Sequence, residues 1–165
     1  MQEMLIYGVS YDMVGKQPIV LLKTADGRRF LPIWIGPNEA SAIMTKLQGG
    51  DSPRPMTHDL LQSVVEELGA SVVRISVTEL RENTFYAQIT LRSNGREVEI
   101  DSRPSDAIAL AVRVDAPIFA ADEVIAESGV EFEAENETSE QNVVEEFQKF
   151  LEDVKPEDFM APPEG

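Results

Sequence analysis

Asp101-Ser-Arg-Pro-Ser-Asp-Ala-Ile-Ala-Leu-Ala-Val-Arg-Val114 is the stretch on which the reading of this chain turns: a charged junction runs directly into a segment that is apolar nearly all round. Pro104 cannot continue a strand ladder, Ser105 suits a helix N-cap, and Asp106 in the first turn with Arg113 in the last complements the helix dipole. From Ala107 to Val114 only Arg113 is charged, and Ala107, Ala109 and Ala111 permit close approach by neighbours. Such a helix belongs at the centre of a fold, under a sheet.

Working outward, the residues before it supply that sheet. Phe85 to Arg92 and Ser71 to Thr78 alternate apolar and polar, and Asn94-Gly95 is a strong two-residue hairpin signal. That turn sets Leu91 opposite Val98, Ile89 opposite Ile100 and Arg92 opposite Glu97, and it delivers Asp101 to the polar junction. Nearer the start, residues 3–11, Ile19 to Thr24 and Arg29 to Ile35 read as strands, the last two joined at Asp26-Gly27 with Leu22 opposite Leu31 and Val20 opposite Ile33. Two helices lie between the sets. One begins at Pro37 and stops at Gly49-Gly50; the other has Thr57 as its N-cap and a wide stripe of Leu60, Leu61, Val64, Val65 and Leu68. After the central helix come an extended piece, Ala116 to Ala120, and a short helix, Asp122 to Ser128, closed by Gly129. The expected class is α+β: an antiparallel or mixed sheet of hairpins packed against a few helices.

The chain of 165 residues is long enough for one well-buried domain, placed at 1–129. An acidic linker is expected over 130–140. An acidic amphipathic helix with a frayed tail is expected over 141–165, its stripe running from Val143 through Phe147 and Phe150 to Val154. The absence of cysteine excludes disulfides, thiolate metal sites and cysteine nucleophiles. No leader-like start and no long apolar run is visible, so a soluble, cytoplasmic protein with no membrane partner is expected. The net charge of −16 is uneven. Residues 1–120 hold 12 Lys+Arg against 15 Asp+Glu and residues 121–165 hold 2 against 15, so the acidity belongs mainly to the C-terminal part.

Three charged segments sit at junctions into helices: Asn38-Glu39, His58-Asp59 after Arg54-Pro55, and Asp101 to Asp106. Singly, first-turn carboxylates are ordinary dipole partners and arginines pair with them. If the junctions converge, they compose a phosphodiester-handling set. Arg54 and Arg103 would clamp phosphate, with Glu39 and Ser105 also contacting substrate. His58, Asp59 and Asp106 would be catalytic, and Asp59, Asp101 or Asp106 would hold Mg²⁺ or Mn²⁺. No organic cofactor is expected, since no Walker loop, zinc pattern or dinucleotide fingerprint is present.

Leu31-Pro-Ile-Trp-Ile-Gly-Pro-Asn-Glu-Ala40, Arg54-Pro-Met-Thr-His-Asp-Leu-Leu61 and Asp101 to Ala111 with Ala116-Pro-Ile-Phe119 resemble, in order and spacing, the blocks of the bifunctional nuclease domain family, described as having both RNase and DNase activity. The likeness spans Met4 to Ile125. It implies a compact α+β domain, usually in a homo-oligomer with a dimer favoured, whose polar block residues line one cleft. It implies a hydrolase acting on DNA or RNA with low sequence specificity. The alternative is a non-catalytic anion- or partner-binding regulatory module that forms a homo-oligomer.

Overall fold

Turn chemistry and strand patterning build the sheet in two halves. In the computed structural model, which describes residues 1–131 and 148–150, β1 (Gln2–Asp12), β2 (Gln17–Thr24) and β3 (Arg29–Trp34) form one antiparallel meander. β4 (Ser71–Arg81), β5 (Thr84–Ser93) and β6 (Arg96–Ser102) form a second. β7 (Ile118–Ala120) joins them, parallel to β4 and antiparallel to β1, and β8 (Val130–Glu131) closes the far edge on β3. The result is one mixed eight-stranded sheet in the order β6-β5-β4-β7-β1-β2-β3-β8. The helices are α1 (Pro37–Leu47), α2 (Thr57–Glu67), α3 (Pro104–Val114) and α4 (Asp122–Ser128). The chain is therefore α+β, as its patterning predicts.

Register follows the hairpin residues. Leu22 faces Leu31 and Val20 faces Ile33; Leu91 faces Val98, Ile89 faces Ile100 and Arg92 faces Glu97, all as the turns dictate. β4 and β5 run further than their alternation suggests, because Glu82 and Asn83, both with positive φ, make a second tight hairpin. Glutamate is an uncommon residue at positive φ, so the turn carries little sequence signal. Val130 and Glu131, expected to open the linker, instead pair with Phe30 and Arg29, and Arg29 binds Glu131 at 2.8 Å. The rest of the expected linker and of the expected C-terminal helix, apart from 148–150, lies outside the described residues.

α3 is the expected central helix. Ala107 to Ala111 are almost wholly inaccessible and pack with Ile75, Val77, Ala87 and Ile89 of the sheet and Ile43 of α1. The second face of the sheet carries a smaller cluster, Ile19, Leu21, Phe30 and Trp34, on which Tyr7 and Phe150 pack. β2 is consequently buried on both faces, and Phe150 of the C-terminal part seats on its own chain. The α2 stripe is only half used. Leu61 and Val65 are partly covered, whereas Leu60, Val64 and Leu68 are exposed, because α2 reaches α3 and β4 along one side alone. Among the described residues no helix is long and apolar enough to cross a membrane.

The helices are tied together by Arg113, whose side chain is 2% exposed. Its Nε donates to Asp59 Oδ1 at 2.7 Å, Nη1 to the Ala109 carbonyl and Nη2 to the Ala42 carbonyl, so one guanidinium joins α1, α2 and α3. Asp59 completes the tie by accepting the Met56 N–H at 2.9 Å, which caps α2. Removing one partner of such a group strands buried acceptors, so Arg113→Ala should cost about 3 kcal/mol in urea unfolding. The Met56 N–H holds the Asp59 carboxyl below its ordinary 3.8; burial opposes this and Arg113 reinforces it. Its folded-state pKa being depressed, its stabilisation is full above 3.8 and is lost as pH falls through the lower folded value. Asp59→Asn should therefore be less stable than the parent at neutral pH, with the gap between their urea midpoints closing in acid.

Candidate functional site

The three helices begin alike. α1 has Gly36 at the N-cap, Pro37 first and Glu39 third; α2 has Met56, Thr57 and Asp59; α3 has Arg103, Pro104 and Asp106. Proline suits the first helical position because it lacks the N–H that would go unpaired there. For the same reason Ser105 is not the cap expected of it: Pro104 takes the first position, Arg103 becomes the N-cap, and Ser105 falls inside the helix, buried. Likewise Met56 rather than Thr57 is the cap of α2. Each helix thus carries a carboxylate in its third position. Asp59 uses one oxygen to cap its own helix, while Glu39 and Asp106 turn to Arg103.

Those last three form the heart of a cleft with His58. Arg103 Nη2 donates to Glu39 Oε1 at 2.8 Å, and its Nε donates to Asp106 Oδ2 at 2.8 Å. The other Asp106 oxygen, Oδ1, lies 2.8 Å from His58 Nε2. Since an ionised carboxylate only accepts, the contact assigns a ring proton to Nε2, and Nδ1 has no hydrogen bond among the described residues. The His58 side chain is 9% exposed, whereas Arg103 is 64% exposed and its Nη1 has no partner among the described residues. Burial works against the Arg103 charge, but the hydrogen bonds it donates to Asp106 and Glu39 outweigh it and hold the pKa above the usual guanidinium value. The cleft has a volume of about 410 Å³ and is also walled by Asn38, which belongs to the first charged junction, and by Ser41 and Thr57, which lie in none of the charged segments.

Adjacent residues of α2 address opposite ends of one face of α3. His58 meets Asp106 and Asp59 meets Arg113, two residues about two turns apart. Ala109, fully buried between them, allows α2 to come close.

The structure therefore brings together Glu39, His58, Arg103 and Asp106. It does not bring in the others. Asp59 faces Arg113 and lines a separate depression on the far side of Met56. Arg54 is exposed in the loop before α2 and makes no hydrogen bond or ion pair among the described residues. Asp101 is exposed on the edge strand opposite Gln88, and Ser105 lines a neighbouring cavity. A cation shared by Asp59, Asp101 and Asp106 has no place where the three meet. Among the described residues no three His, Asp or Glu side chains gather into a metal-binding group. Where the Glu39 and Asp106 carboxylates do approach, Arg103 stands between them as the counter-charge.

Comparison with known proteins places this geometry in context. A family model described as the bifunctional nuclease domain matches residues 20–133. The uncharacterized protein Rv1829 of Mycobacterium tuberculosis H37Rv is 39% identical over 166 residues, covering 98% of this chain and 99% of that one. Bifunctional nuclease 1 of Arabidopsis thaliana is 31% identical over 105 residues, and Bifunctional nuclease 1 of Oryza sativa subsp. japonica 30% over 103. These plant alignments cover 61% and 60% of this chain but only 32% and 31% of the plant proteins. With the matched model spanning most of the sheet and helices α1 to α4, the chain belongs to the bifunctional nuclease domain family.

Proposed function

We propose that this protein hydrolyses phosphodiester bonds of DNA or RNA with low sequence specificity, using the Glu39–Arg103–Asp106–His58 cleft. One observation carries the reading: a nearly buried histidine held by a carboxylate lies beside an arginine that the same carboxylate positions but leaves open to solvent. Asp106 keeps the His58 proton on Nε2 and offsets the charge of an imidazolium. Nδ1 can then take a proton from the attacking oxygen of a water. That oxygen bonds to phosphorus, the bond from phosphorus to the leaving oxygen breaks, and the proton on His58 passes to that oxygen. Arg103 contacts the phosphoryl oxygens and offsets the charge developing on them. The Arg103 contact to phosphate carries no sequence information, in keeping with low specificity.

No step is routed through a metal, because the carboxylates expected to hold Mg²⁺ or Mn²⁺ are dispersed. The net charge of −16 opposes a polyanion, so attraction has to be local, at Arg103. A second reading, a non-catalytic module in a homo-oligomer, is favoured by the outward α2 stripe of Leu60, Val64 and Leu68, which a second copy of the chain would cover. Sedimentation tests the covering copy, since Leu60→Glu with Leu68→Glu should lower the mass of the particle, whereas the cleavage assay separates the two readings.

The nuclease reading is tested on purified protein with single-stranded RNA and with DNA, with and without EDTA. Cleavage should persist in EDTA. His58→Ala and Arg103→Ala should each lower kcat/KM on the order of 10²–10³-fold while the folded spectrum is kept. Variants that cleave as the parent does would rule the cleft out. Gly36→Ala supplies a finer probe. The φ of Gly36 is an ordinary −73°, so alanine brings no backbone strain, but its Cβ would occupy the place of the Glu39 carboxylate. The variant should keep its stability within about 1 kcal/mol and lose several-fold in rate as Glu39 is moved off Arg103.

A further inference from the structure

A second cavity adjoins the catalytic cleft, and Arg103 lines both. It lies between the end of β3, the start of β5 and the start of α3, with a volume of about 290 Å³, near the lower end of small-molecule sites at roughly 300 Å³. Its character differs from that of the first. Trp34, Phe85 and Pro104 give it apolar walls, while Gln17 and Ser105 supply polar groups. The Gln17 side-chain oxygen is buried and makes no hydrogen bond among the described residues. A desolvated amide left unpaired costs about 1–3 kcal/mol, and such groups in native proteins call for an explanation.

We infer that this cavity is a nucleobase subsite, into which the base next to the Arg103-bound phosphate inserts; the inference rests on the nuclease reading above. Three features select a base over other ligands. The aromatic and proline walls suit the faces of a planar heterocycle. A glutamine amide offers both a donor and an acceptor, the pairing a base edge presents, and an amide flip leaves that complementarity intact. The shared arginine sets the cavity beside a phosphate, as a nucleotide requires. Ser105, carried inward by Pro104 taking the first helical position, then contacts the base rather than the phosphate.

Trp34 is the sole tryptophan of the chain, so its emission reports occupancy of this cavity without any cleavage assay. Nucleoside 5′-monophosphates should change the emission saturably, and ribose 5-phosphate, which carries no base, should not. Gln17→Leu should weaken nucleotide binding roughly tenfold. Ser105→Ala, a smaller change, should weaken it less, and a variant used must retain the parent's folded spectrum. A response to ribose 5-phosphate equal to that of nucleotides, no response to nucleotides, or unchanged binding by both variants overturns the subsite. The two readings fail separately. Base-dependent binding without cleavage removes the nuclease and leaves the subsite, whereas cleavage without base-dependent binding removes the subsite and leaves the nuclease.

Discussion

One buried guanidinium holds the site-bearing part of this fold together. Arg113, at the end of the central helix, joins the α1 backbone at Ala42, its own helix at Ala109 and the α2 carboxylate of Asp59. A charge so enclosed is tolerated only when its donors are satisfied, and here every nitrogen of the fork has an acceptor. Because its geometry is planar and fixed, it sets the relative placement of three helices more strictly than apolar packing alone would. The openings of those helices then lie together, and the cleft is a consequence.

The same construction explains why neighbouring residues in sequence do different work. His58 and Asp59 both face α3, yet one reaches its start and the other its end. The small Ala109 between them lets the helices approach. Arg103 and Arg113 are matched in this respect: each is held by a first-turn carboxylate of a helix, but Arg113 is enclosed while Arg103 keeps a face to solvent. Burial, not residue type, separates the two arginines.

Much of the sheet was legible because hairpin geometry couples a two-residue signal to a whole register. Asp26-Gly27 and Asn94-Gly95 each fixed which apolar residues share a face, and the pairs Leu22 with Leu31 and Ile89 with Ile100 follow. The Glu82-Asn83 hairpin was not legible, since neither residue is a glycine and glutamate rarely takes positive φ. In the candidate site, the block from Arg54 to Asp59 read as one unit. The structure keeps His58 in the cleft; a helix turns successive side chains by about 100°, which takes Asp59 out of it, while Arg54 stays in the exposed loop before α2.

By itself the sequence determined the fold class, the central helix and its buried face, the hairpin registers, and the helix starts rich in Asp, Glu, Arg and His. These are local matters of propensity, periodicity and turn chemistry. Only the tertiary structure decided which of those charges meet: that Arg103 is bound by two carboxylates and not by one, that Asp59 belongs to Arg113, that Asp101 stands alone on an edge strand, and that Ser105 opens on a second cavity beside Trp34. Pairing between residues 39, 58, 103 and 106 depends on how α1, α2 and α3 cross, and crossing is set by packing around Ala109 and Arg113, which no local pattern encodes.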